Sequence, residues 1–227
     1  MRLWIATLIL VFAVIPTAAM ADPAGQEGHD MTEPGTRHFE VLKTFPLEPE
    51  AYQPAAAELI RQGVIERFGE EEWATVVLTH ELHNHVGIMT VVGAKMAVRA
   101  RELMHAPMRQ VKVVAETGPE PPFACALDGL QAGLSSTFAQ QLIEAPETDT
   151  PTLAATFTLG EKTLRLELRP EYAKRIRQYI HTAIDTHGNL TPAYFEEIEK
   201  DCYVVWAEFD RKEIFNEAWV APSRKTQ

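Results

Sequence analysis

The chain has 227 residues, 46% of them hydrophobic and 23% charged, with a formal net charge of -11, a composition able to bury a core. No run of five or more basic residues interrupts that acidic balance, which excludes nucleic acid and an anionic membrane surface as natural partners. Its two cysteines, Cys125 and Cys202, are too few for a four-cysteine iron–sulfur cluster.

Arg2 precedes an apolar run from Leu3 to Ile15 that is short for a membrane span, and Ala19-Met20-Ala21 stands just before Asp22. This predicts a signal peptide over residues 1–21 with an A-x-A-like cleavage site, hence a periplasmic or secreted protein free of the membrane after cleavage. In that compartment disulfides are permitted, so Cys125 and Cys202 either pair or serve separately. Cys202 shares a helical stripe with Phe195, Ile198, Val205, Trp206 and Phe209, which reads as a small buried hydrophobe. Residues 22–36, polar and rich in Gly and Pro, read as a flexible leader. A single domain is expected over 37–218, with its core at about 70–190 and a C-terminal helix over 191–217.

Ala56, Leu59, Ile60, Val64 and Phe68 predict one helix from Pro54 to Phe68, stopped by Gly69. The β-branched run Thr75-Val76-Val77-Leu78 reads as a short extended segment. After Gly87, the residues Ile88, Val91, Val92, Met96 and Leu103 mark a second helix, with Lys95 and Arg99 on its solvated face. Val111 to Ala115 reads as a strand, followed by a Pro-rich connector through Pro122 that fits neither helix nor central strand. A helix is expected from Cys125 to Leu142. Alternation at Leu153, Ala155, Phe157 and at Leu164, Leu166, Leu168 predicts a hairpin turning at Gly160-Glu161. Pro170 opens a helix that ends at Gly188, and Thr191-Pro192 caps a last helix expected to reach Phe215. Strands and helices are segregated, which gives the α+β class.

His80, His83 and His85 place three of the eight histidines within six residues, at or just before a helix start. Neutral imidazole is a common metal ligand and titrates near neutral pH. Cys125 and Asp128, three residues apart, share a face if helical, and a thiol at a helix N-terminus is expected to be acidified. His105, His181 and His187 stand alone near helix ends and read as structural.

Two stretches together resemble the FmdE family, whose name comes from formylmethanofuran dehydrogenase. His83-Asn84-His85-Val86-Gly87, followed by Gly93 and Met96, is similar to the family's histidine-rich opening. Glu116-Thr117-Gly118, with Pro121-Pro122-Phe123-Ala124-Cys125-Ala126-Leu127-Asp128-Gly129-Leu130-Gln131, looks like its ETG…PP[YF]xCxxDG[IL]Q segment. The resemblance covers roughly residues 70 to 190 and implies a small mixed β-sheet packed with helices. It also implies a pocket in which His83, His85, Cys125 and Asp128, with His80 as a further imidazole, hold a transition metal, typically zinc, for which nitrogen, sulfur and carboxylate donors are suitable. The chain departs from the family where many members carry a cysteine at the position of Gly87. Ser135-Ser136-Thr137 likewise stands where many have Gly-Cys-Thr.

Three functions fit these residues: an exported metal-binding domain; a metal-dependent enzyme on a small organic substrate, with Asp128 or His83 moving protons; and a metal-free module for a small ligand. Formylmethanofuran oxidation itself is not implied, since the chain has no molybdopterin or iron–sulfur signature. The acidic surface and the last helix are compatible with a homodimer.

Overall fold

The computed structural model describes residue 37 and residues 39–220. The expected signal peptide, the 22–36 leader, His29 and His38 therefore lie outside the described residues. The described chain forms an α+β fold in which seven helices accompany a five-stranded mixed sheet of order β2-β1-β3-β4-β5.

The predicted helix 54–68 is two, α1 (Pro54–Arg61) and α2 (Val64–Phe68). Between them Gly63 takes a φ of 77°, a left-handed turn that glycine makes without steric cost and that an α-helix cannot continue through. A larger correction concerns Thr75 to Leu78, which is not extended but lies inside α3 (Glu70–His83). Three glutamates, Glu70, Glu71 and Glu72, occupy its first turn, where negative charge suits the helix dipole. Its β-branched residues are fully buried at Thr75, Val76 and Thr79, so tertiary packing overrides their weak helix propensity. The helix ends where Asn84 turns left-handed, φ 59°, and its N–H donates to the His80 carbonyl at 2.9 Å, an αL cap.

Helix α4 (Ile88–Met104) is buried on nearly every side, as expected of a helix central to its domain. It packs against α3, α5 (Ala126–Leu134), α7 (Pro192–Glu208) and the strand β4 (Lys162–Leu168). Lys95 and Arg99 do not form a solvated face. Lys95 is wholly buried against Glu72, and Arg99 is mostly buried, paired with Glu102 and Glu217.

Helices α4 and α5 approach each other through glycine. A Cβ built on Gly93 would lie 2.1 Å from the Ala126 carbonyl oxygen, and one on Gly129 would lie 2.2 Å from the Ala94 nitrogen and 2.5 Å from the Thr90 oxygen. These are backbone atoms that no rotamer change can move. Gly129→Ala is therefore expected to lower the free energy of unfolding by roughly 1–3 kcal/mol through overpacking. Urea denaturation measures this, and an unchanged midpoint would contradict the tight crossing.

In the sheet, β1 (Lys112–Ala115) pairs parallel to the two-residue β2 (Ile143–Glu144) and antiparallel to β3 (Ala154–Leu159). The β3–β4 hairpin forms as expected, turning at Gly160-Glu161 with Leu159 opposite Lys162. Its inward side chains Phe157, Leu164 and Leu166 are fully buried. Helix α5 stops at Leu134 because Ser135 is left-handed, φ 51°, well short of the expected Leu142.

Helix α6 (Pro170–His187) follows its expected bounds. In α7 the Thr191 Oγ1 accepts from the Tyr194 N–H at 3.1 Å, the predicted cap. That helix ends at Glu208, not near Phe215. The chain then turns and adds an edge strand, β5 (Phe215–Val220), antiparallel to β4. None of the described helices is long and apolar enough to cross a membrane.

Candidate functional site

The site is built where the end of α3 meets the start of α5. His83 is the last residue of α3, and Asp128 lies in the first turn of α5. The glycine-mediated closeness of α4 and α5 holds that turn against the first two turns of α4. His83 Nδ1 is 2.7 Å from Asp128 Oδ2, while Asp128 Oδ1 accepts from Gln131 Nε2 at 3.5 Å. Asp128 thereby fixes the tautomer of His83: Nδ1 carries the proton and donates it, leaving the Nε2 lone pair available. His83 Nε2 is buried and has no hydrogen-bond partner. An unpaired buried polar atom costs free energy, and this one belongs to the ring that Asp128 orients.

The left-handed Asn84 folds the chain back on itself, so His83 and His85 come together although they are two residues apart. Their ring centroids are 4.2 Å apart with 40° between planes. The His85 imidazole is shifted toward lower pKa, first by burial and second by His83; both effects favour the neutral, ligating form. Cys125 ends the short 3-10 turn Phe123–Cys125 and caps α5. Contrary to the expectation of an acidified thiol, burial and then the charge of Asp128 push Cys125 up. Burial and the neighbouring carboxylate outweigh the helix start. Cys125 and Cys202 are both free thiols, the second wholly buried.

His80 is not gathered into this group. Its Nε2 lies 3.0 Å from Thr90 Oγ1 and 3.5 Å from the Gly87 nitrogen, with Cys202 Sγ at 4.0 Å and the Trp206 ring set edge-on at 5.7 Å between centroids. Burial lowers its pKa to about 4. Among the described residues no three His, Cys, Asp or Glu side chains converge closely enough to enclose an ion.

Sequence reasoning missed Gln131, although it stands in the quoted motif three residues after Asp128, the spacing that brings side chains together on a helix. It also missed Thr90, which occupies His80. Residues 82–208 match the family described as FmdE, Molybdenum formylmethanofuran dehydrogenase operon. No curated protein is similar enough to the chain to match it.

Proposed function

This chain belongs to the FmdE family, and on that premise we propose that it binds a transition metal ion, zinc by its donor set, through His83 and His85. The observation that carries the reading is the His83 imidazole. One nitrogen is held by a carboxylate and the other is buried without a partner. A metal-ligating histidine has this arrangement, its distal N–H given to a carboxylate that orients the ring and raises its basicity.

The residues divide the work. His83 offers Nε2, and His85 is the second nitrogen donor beside it. Asp128 holds the proton on His83 Nδ1 and is itself steadied by Gln131, which makes it an orienting group instead of a ligand. Cys125, beside Asp128, does not converge with the two imidazoles as they stand and would have to move toward them to join as a sulfur donor. Burial and Asp128 keep its proton on, so uptake through that thiol releases a proton and strengthens with rising pH. When bound, the metal would supply Lewis acidity toward a carbonyl oxygen or a water. His80 stays with Thr90 as part of the fold. The same reading includes export by the N-terminal apolar segment.

The test is metal content of the full chain purified without a histidine tag, followed by titration with zinc. Near-stoichiometric zinc is expected in the wild type and none in the His83→Ala/His85→Ala double variant. Asp128→Asn should still bind, about 10- to 100-fold more weakly. A wild type that holds no metal as isolated and takes up no zinc on titration would overturn the reading in favour of a metal-free module.

A further inference from the structure

Apart from the His83–Asp128 pair, a cavity of about 410 Å3 opens beside His80 and is lined by Tyr52, Tyr203 and Trp206, with Glu50 and Glu81 also among its walls. No lysine or arginine lines it among the described residues. Glutamates elsewhere, such as Glu71, Glu102, Glu116 and Glu208, are ion-paired. Glu50 and Glu81 have no hydrogen-bond or ion-pair partner among the described residues. His80 adds no positive charge there at neutral pH, because burial keeps it neutral.

The aromatic wall is held in place before any ligand arrives. Tyr52 donates its hydroxyl proton to the Pro46 carbonyl and accepts from Trp73 Nε1 at 3.0 Å. Trp73 stacks on Trp206 at 4.6 Å between centroids, and Tyr203 lies nearly parallel to Trp206 at 6.4 Å. Such preorganisation lowers the ordering cost of binding. Trp206, 2% exposed, backs the wall, and the half-buried Tyr52 and Tyr203 supply its accessible ring surface. The wall thus combines electron-rich ring systems with unpaired carboxylates.

We propose that this cavity is a binding site for a small organic cation of the alkylammonium class. Aromatic rings attract an ammonium through their quadrupoles, and the two carboxylates complement its charge. Volumes of this size are typical of small-molecule sites. Glu50, Tyr52 and Glu81 come from outside the segment that matches the family, residues 82–208, so the cavity is assembled largely by this chain's own N-terminal part. The proposal does not rest on metal binding at His83.

The probe is choline, titrated into the full chain in the presence of a chelator and followed by tryptophan fluorescence and calorimetry. The comparison ligand is 3,3-dimethyl-1-butanol, which has the same shape without the charge. Saturable choline binding is expected, with the neutral analogue at least about tenfold weaker. Glu81→Gln, an exposed change that leaves thermal unfolding unaltered, should weaken choline roughly threefold. Tyr203→Leu should weaken choline more than it weakens the analogue. Equal affinity for the two ligands would reduce the site to an apolar pocket, and no saturable response by ~10 mM choline would remove it altogether; either overturns the proposal.

Discussion

Glu72→Gln is expected to destabilise the fold by about 3–5 kcal/mol, the cost of leaving a buried charge without its counter-ion. Glu72 and Lys95 are both wholly buried, with Lys95 Nζ 2.5 Å from Glu72 Oε1. The second oxygen, Oε2, accepts from Arg211 Nη1 at 2.9 Å, and Lys95 Nζ also lies 4.3 Å over the Phe68 ring. One carboxylate therefore serves two cations. Removing its charge strands Lys95, whereas Arg211 retains Glu102 and the Phe68 carbonyl. Lys95→Met should cost less, because Glu72 keeps Arg211.

The pH dependence of that deficit is a further check. Burial pulls the Lys95 ammonium below its ordinary pKa, and Glu72 works against that pull. Without Glu72 the pull is reinforced by Arg211 and opposed only by the smaller effect of Asp210, so native Lys95 gives up its proton at lower pH than the unfolded chain does. As pH rises through that depressed value, the native state is relieved of its unpaired charge and the deficit shrinks. Urea denaturation at pH 7 and at higher pH would show this. A loss under about 1 kcal/mol at pH 7 would mean that water or a neighbouring carboxylate replaces Glu72.

This ion pair also shows where the sequence stops being informative. Lys95 stands on a helix whose pattern assigns it to solvent, and its partner lies 23 residues away in a helix that the run Thr75-Val76-Val77 disguises. Local chemistry was readable: the Gly160-Glu161 turn and the Thr191 cap form where expected, because turn and cap residues act within four positions. Elements decided by distant partners were not. α3 is helical because Thr75, Val76 and Thr79 are buried against other helices, and β5 is a strand only because β4 offers it an edge. Five of its six residues are exposed and carry no burial period. At the site, motif spacing identified His83 and Asp128, but their 2.7 Å contact spans 45 residues and only the fold could assign it. The same holds for His80, whose fate is set by Thr90 and Trp206.

His80 gives the second large effect. Its pKa is lowered from 6.5 to about 4, chiefly by burial and further by His83 and His85, with only the Gly87 backbone opposing. Thr90, Cys202 and Trp206, which carry no negative charge, contact the ring, and the carboxylates of Glu50 and Glu81 line the same cavity without appearing among the causes of its shift. Above pH 6.5 the imidazole is neutral in both native and unfolded chains and contributes no pH dependence. As pH falls from 6.5 toward 4, the unfolded chain binds a proton that the native chain refuses, so stability is lost through that window and levels off below it. A difference of this size corresponds to about 3 kcal/mol at the acid limit, and roughly 2.5 kcal/mol by pH 4.5. His80→Gln removes the titration. Between pH 7 and pH 4.5 the variant should therefore lose roughly 2.5 kcal/mol less stability than the wild type in urea denaturation, even if it starts from a lower value. His85, shifted in the same direction, is retained in both proteins and cancels from the comparison. Parallel losses in the two would mean that His80 is protonated in the native state, and hence that water reaches it through the neighbouring cavity.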